Sequence, residues 1–492
     1  MTAYNDLMAF QRQTEALGQI AGRLGWDQET MMPAGAAAQR AEEMGAIEQV
    51  LHTRRTDPRV GDWLAAIDDS TLDDVGRANM RHIRRAFDRI SRVPEALATE
   101  IARVTSAAQR QWADARANED FAAFRPVLEQ VVNLKREQAA ALADGGDLYD
   151  ALLDDYEPGA TGAGLQAMFD ALRPRLVALR DKAMGAAHQP VALTGKYDAN
   201  AQMKLARGLA RDFGYDMKHG RIDRAVHPFS SGSGLDVRIT TRTSADDPFN
   251  CIYSTIHETG HAAYEQGIDD AYLLTPLGEG VSMGVHESQS RIYENQLGRS
   301  RGFTHYLFGR MSDAFGAMNI ADADAFYGAV NKLHAGFIRT EADEVQYNLH
   351  VMLRFDLERR IIAGDLAVAD LEEAWNTQFL ADFGYGVDKP SNGCLQDVHW
   401  SVGLFGYFPT YSLGNVYAGC LYKALSGDQP DLAERLQQGD TSGATTWLRE
   451  RVQVHGGLYQ PAEVIEKACG FVPEVTPLLD YLEAKFGEIY QL

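Results

Sequence analysis

The run His257-Glu258-Thr259-Gly260-His261 sets two imidazoles and a carboxylate at the HExxH spacing, inside an apolar, helix-compatible segment over 256–263. On a helix the two histidines stand one turn apart on one face, close enough to bind a single metal ion. Glu258 is rotated toward the side where an attacking water would sit. This is the layout of a zinc hydrolase: two imidazole ligands, a general base and room for water. A tetrahedral catalytic metal needs a third protein ligand, and a Glu on the next helix is a common one. Glu265, Glu279, Glu287 and Glu294 are the candidates; Glu287 is preferred because it enters at a helix start behind a return spaced by Gly278, Gly280 and Gly284.

The elements that must hold these residues can be read around them. Asp247 reads as an N-cap, Pro248 as a first-turn residue and Gly267 as a stop, which puts the motif mid-helix. Gly260 weakens that helix by up to about 1 kcal/mol relative to Ala, a cost better explained by close packing near a metal than by helix stability. Upstream, the Ser- and Gly-rich run 230–234 reads as a flexible turn. The run 236–242 alternates polar and β-branched residues as a strand does, with Asp236, Arg238 and Thr240 on one face. Such a strand would line a cleft where an extended peptide can add to a sheet edge.

Downstream, a helix is predicted over 285–297, with His286, Glu287, Ser288 and Gln289 in its first turns. Residues 337–343 lead into a long helix in which Val345, Leu349, Leu353, Leu357 and Ile361 recur every fourth position, and another spans 370–381. The segments 397–401 and 406–415 then read as an irregular aromatic loop approaching a site, carrying His399, Tyr407 and Tyr411. Its glycines allow close backbone approach and its tyrosine hydroxyls can donate to developing negative charge.

The remainder is helical in pattern. Leu7, Phe10, Leu17, Ile20 and Leu24 share one face of a helix expected to end near Gly25, before a corner over 26–33. Helices follow over 40–51, 73–89, 94–117 and 121–144. Leu165, Met168, Phe169, Leu172 and Leu176 resume the stripe, with Pro174 expected to kink it or mark its early turns. No repeat period links these helices, which disfavours a solenoid.

A formal net charge of -22 argues against nucleic acid or an anionic membrane as partner, since either would be repelled. Cys251, Cys394, Cys420 and Cys469 are too scattered for a disulfide framework, so reduced thiols are expected. The first residues lack the basic start and apolar run of a signal peptide, and a cytoplasmic location is expected.

Six motifs occur in order: His227-Pro228-Phe229, DxRxT over 236–240, HExxH over 257–261, His286-Glu287-Ser288-Gln289, IRxxAD over 338–343 and GYxxTYxLGN over 406–415. On these, and on the 26–33 corner, the chain resembles the carboxypeptidase Taq family of metallocarboxypeptidases over nearly its whole length. The resemblance implies a mainly α fold. It would be a single large helical domain over 1–492 with a deep substrate groove and a small β-sheet next to the HExxH helix. Residues 1–215 would form a helical N-terminal part, 216–415 the metal site and groove, and 416–492 a helical C-terminal part. A homodimer is usual in the family.

The resemblance also implies roles. His257, His261 and Glu287 would hold zinc, with cobalt able to support activity, and Glu258 would serve as base and acid. Arg339 and Tyr411 would hold and polarise the C-terminal end of a peptide with a free C-terminus. Arg238 and His227 would line the groove, with His399 and Tyr407 of the aromatic loop also facing substrate. Specificity would be broad, with proline disfavoured. The nearest competing reading is a metallo-oligopeptidase that cuts internal bonds of short peptides. One position stands apart: related HExxH hydrolases often carry Asp four residues after the ligand Glu, and here that residue is Arg291. Support for the ligands must come from elsewhere, with His286 and Gln289 as candidates.

Overall fold

A computed structural model describes residues 2–492. One apolar core draws on residues from Val104 to Tyr490 and so packs the helices from Glu95 onward against one another. Its backbone is the long helix Gln346–Ala363. The predicted stripe Val345, Leu349, Leu353, Leu357 and Ile361 is at most 1 % exposed, each side chain contributing about 1.5–3 kcal/mol relative to exposure. Two smaller clusters flank this core. One, with Leu7, Phe10, Val60, Leu64, Met80 and Ile83, packs the N-terminal helices; the other lies under the sheet around Ile222, Val237, Ile239 and Cys251.

Most expected helices are present with ends moved by a few residues: Ala37–Arg55, Asp74–Arg92, Glu95–Ala117, Phe121–Ala143 and Leu371–Phe383. The helix Gly162–Gly185 runs through Pro174 unbroken. The first helix departs from expectation. It does not stop near Gly25 but spans Ala3–Thr30. Trp26 is buried, with the guanidinium of Arg238 4.5 Å and that of Arg221 5.1 Å from its ring centroid, and these tertiary contacts hold the last turn. A single Gly was a weaker stop than the Pro33 that follows.

The sheet has three strands, β1 (Ile222–Arg224), β2 (Ser230–Ser231) and β3 (Arg238–Thr241), in the order β1-β3-β2. β3 pairs parallel to β1, with Ile239 opposite Ile222, and antiparallel to β2, with Ser231 opposite Arg238. Two expectations change here. Ser230 and Ser231 are strand rather than flexible turn, and Asp236 lies outside β3. Both edges of β3 are hydrogen-bonded, so no peptide can add to it. The strand does sit beside the HExxH helix, where Thr241 Oγ1 meets Ser254 Oγ at 3.0 Å.

That helix spans Pro248–Gly267, and Asp247 caps it by accepting from the Phe249 and Asn250 N–H groups, as the sequence predicts. A Cβ added to Gly260 would lie 2.5 Å from the Gln289 carbonyl oxygen and 2.6 Å from the Ser290 Cα. The glycine therefore lets this helix touch the backbone of the next one, Met283–Arg291. Gly414 does the same from the other side, against Glu287 Cβ at 2.6 Å. It lies on the helix Pro409–Asp428, which replaces the second half of the expected aromatic loop. The glycines and aromatics that suggested a loop are instead what a helix needs to pack this closely on the Glu287 helix.

Candidate metal centre

His257 and His261 project from one face of their helix, their rings 4.9 Å apart and tilted by 80°. Both Nε2 atoms face Glu287 Oε2, at 3.9 Å from His257 and 3.4 Å from His261. Among the described residues these three make the one group whose ligand atoms lie within 4.8 Å of one another. Zinc–nitrogen bonds of about 2.0–2.1 Å in tetrahedral geometry put donors about 3.3 Å apart, so the donor set fits a small divalent metal.

The opposite sides of both rings are committed. His257 Nδ1 donates to Glu294 Oε2 at 2.9 Å. His261 Nδ1 lies 2.6 Å from His286 Nδ1, whose own Nε2 lies 2.9 Å from Glu265 Oε1. Because Glu265 takes the Nε2 proton of His286, the Nδ1 of that ring accepts from His261. Each motif histidine is thereby fixed with its Nε2 lone pair free toward the metal position. Thus His286 gives the expected support, whereas Gln289 does not; it accepts from Gln453 at 3.1 Å. Of the other carboxylates considered as third ligand, Glu294 and Glu265 serve the histidines from behind and Glu279 joins no cluster.

Arg291 takes the place of the missing acid and works on the carboxylates. Its Nε donates to Glu287 Oε1 at 2.6 Å and its Nη1 to Glu294 Oε2 at 3.4 Å, while Glu287 Oε2 faces the two histidines and accepts from Ser290 Oγ at 3.2 Å. Arg299 Nη2 holds the other oxygen of Glu294 at 3.1 Å. Glu294 lies on a π-helical turn, Ile292–Leu297, that continues the Glu287 helix; such turns recur at functional sites. Sequence reasoning weighed Glu294 only as a ligand and missed Arg299. The i,i+3 and i,i+4 spacing of Arg291 to Glu294 and Glu287 was the available signal.

The electrostatics suit metal binding. Burial alone would raise the Glu287 carboxyl, yet Arg291, His257 and His261 hold it well below the usual carboxylate range. Burial lowers His261 to about 3, keeping it neutral, and pushes Glu258 up to about 7. Glu258 is 7 % exposed and its carboxylate makes no hydrogen bond to a protein group among the described residues.

A wall of aromatic and charged groups adjoins this cluster. The Arg291 guanidinium lies 4.1 Å from the Tyr347 ring centroid, and the Tyr347 ring lies 6.2 Å from that of Tyr411. Tyr407 stacks edge-on to Tyr411 at 5.3 Å, and His399 Nε2 is 3.5 Å from the Tyr411 hydroxyl. Burial raises Tyr411 well above its ordinary value, so its hydroxyl stays protonated. Arg339 is 5 % exposed. It grips Asp397 Oδ1 through Nε at 3.2 Å and Nη2 at 3.0 Å, and reaches the Tyr347 hydroxyl through Nη1 at 3.1 Å. Asp397 in turn is held from its other oxygen by the buried Arg354, Nε at 2.7 Å. Arg339, His399, Tyr407 and Tyr411 are thus brought together beside the metal cluster.

Arg238 and His227 are not joined to it. Arg238 pairs with Asp236 at 2.7 Å and covers Trp26, while His227 is exposed and takes part only through its carbonyl, to Thr240 Oγ1 at 3.5 Å. Behind the cluster, Arg291, Glu294, Arg299, Tyr347 and Glu344 line a cavity of about 470 Å³. No described helix is long and apolar enough to cross a membrane.

Comparison with known proteins agrees with this geometry. The family model for carboxypeptidase Taq (M32) metallopeptidases matches residues 6–486. Thermostable carboxypeptidase 1 of Thermus thermophilus is 40 % identical, covering 99 % of both chains. Carboxypeptidase 1 of Bacillus subtilis is 34 % identical over 95 % of this chain and 94 % of its own. The crystal structure of a carboxypeptidase from Deinococcus radiodurans superposes with a TM-score of 0.95 at 38 % identity, covering 100 % of each chain. With its fold, its His-His-Glu cluster and these relatives in agreement along its length, the chain belongs to the carboxypeptidase Taq family of metallopeptidases.

Proposed function

We propose that this metal-dependent carboxypeptidase releases single amino acids from peptides with a free C-terminus, using His257, His261 and Glu287 as ligands and Glu258 as general base and acid. The observation that carries this reading is the convergence of two Nε2 atoms and Glu287 Oε2 beside a carboxylate with no protein partner. A divalent metal held by His257, His261 and Glu287 would supply a Lewis acid and make water more acidic. Glu258 takes the proton of the attacking water and returns it to the leaving amine. The Tyr411 hydroxyl donates to the oxyanion as it forms, with His399 and Tyr407 holding that ring in place.

Arg339 is the proposed anchor for the substrate carboxylate. Three of its five N–H groups are committed to Asp397 and Tyr347, which leaves two for a charge-assisted pair. His227 and Arg238 are proposed as the far wall of the groove. Arg339→Ala is expected to raise KM for free-ended peptides by about 10- to 100-fold and to bring the ratio of free to amidated turnover toward one. Because the guanidinium also sits in a buried pair, a loss of about 3–5 kcal/mol in stability is expected beside it. An unchanged ratio would remove Arg339 from recognition.

Zinc is the proposed metal, with cobalt as a competent substitute. Dialysis against a chelator is expected to abolish release of amino acids, and one equivalent of zinc per chain to restore it. Activity that survives complete stripping would contradict the reading. The whole chain, 1–492, is proposed to act as one catalytic unit, a reading supported by the core shared from Val104 to Tyr490 and by the family match over residues 6–486. A homodimer and broad specificity with proline disfavoured rest on the family resemblance. A cytoplasmic setting is consistent with four cysteines that are free in the structure.

A further inference from the structure

Glu157 stands far from the motifs in sequence and is 1 % exposed. Its Oε2 accepts the Gly284 N–H at 2.8 Å. The preceding residue contributes as well, since the Tyr156 carbonyl accepts the Met283 N–H at 2.9 Å. Ser282 Oγ accepts the third free donor, the Val285 N–H, at 3.1 Å. Two of the first three N–H groups of the helix Met283–Arg291 are therefore held by a dipeptide from another part of the chain. The fit is close on both sides: a Cβ on Gly284 would lie 2.6 Å from Glu157 Oε2. The same dipeptide reaches the aromatic wall, where the Tyr156 ring meets that of Tyr407 edge-on at 5.0 Å and 84°.

This arrangement is costly. Burial pushes the Glu157 carboxyl up to about 7 even with the Ser282 and Tyr417 hydroxyls and the Gly284 N–H beside it. A costly polar group retained in a core marks a site where position matters more than stability. The helix it caps carries His286 and Glu287, and a helix moves as a unit. Any slip along its axis passes undiminished to both residues, whereas a metal site tolerates ligand displacements of only about 0.2 Å.

We infer that Glu157 is a positioning residue for the metal centre, whose carboxylate fixes the axial position of the helix bearing Glu287 and His286 through the Gly284 N–H. The inference rests on the ligand assignment above. It is tested by measuring the zinc dissociation constant of folded protein in competition with a chromophoric chelator, together with kcat and KM on one peptide. The proteins compared are the parent, Glu157→Ala, Glu157→Gln, Gly284→Ala and Glu287→Ala.

Glu157→Ala and Gly284→Ala are expected to weaken zinc binding about 10-fold or more, in the range of lost outer support to a metal ligand. Their kcat should fall with KM nearly unchanged. Glu157→Gln keeps an oxygen for the Gly284 N–H and should stay within about 3-fold of the parent, a rescue that simple loss of packing would not give. Parental zinc affinity in folded Glu157→Ala would overturn the inference. If that variant does not fold, parental affinity in Gly284→Ala overturns it instead. Weak binding in Glu287→Ala alone would leave the ligand assignment standing and remove only the role of Glu157. Parental binding in Glu287→Ala would bring down both.

Discussion

Glu258→Gln is expected to retain its full metal content and to lose about 10²- to 10⁴-fold in kcat, the usual contribution of a positioned acid or base. The substitution is close to isosteric, and the carboxylate it replaces has no protein partner to lose. The HExxH helix, its Asp247 cap and the contact at Gly260 should therefore be undisturbed. What disappears is the ability to accept a proton from water and pass it to the leaving amine. Burial raises the carboxyl above the usual carboxylate range, which favours its holding the proton between the two transfers. Metal analysis and single-substrate kinetics on the same preparation check this. Near-parental kcat would show that another group is the base.

The second large effect is expected at Glu287. Glu287→Ala should lower metal affinity by more than about 100-fold, since removing mere outer support to a ligand already costs 10- to 100-fold. The structure adds a further reason. Arg291 donates to Glu287 Oε1 at 2.6 Å, so the truncation leaves a buried guanidinium with the longer contact to Glu294 and the face of Tyr347. That weakened pairing of a buried charge should lower thermal stability as well. Metal content after dialysis is the measurement. Full occupancy would mean that another carboxylate is the third ligand, with Glu294 the first to examine because it already touches His257.

The parts of this site legible in the sequence were those encoded by local spacing. HExxH, the Asp247 cap and the Gly267 stop depend on residues within one helix, and the helix formed as read. Gly260 was legible as a close contact, although its partner, the Gln289–Ser290 backbone, was not. What escaped depends on residues distant in the chain. Nothing local marks Glu157 as the cap of the Glu287 helix, or Arg354 as the second partner of Asp397. The run over 406–415 has the glycines and aromatics of turn chemistry, which locally signal a loop. Tertiary packing overrode that signal, since Gly414 is needed where the helix crosses Glu287. The edges of β3 were equally invisible, as strand order is set by the neighbours a strand finds and not by its own alternation.

One measurement tests carboxypeptidase action most directly: mass spectrometry of a single N-blocked peptide, offered with a free and with an amidated C-terminus, each with and without a chelator. Stepwise loss of single residues from the free-ended form alone, abolished by chelation, is the predicted result. Equal internal cleavage of both forms would contradict it. That outcome would make the chain a metallo-oligopeptidase and leave Arg339 a structural partner of Asp397.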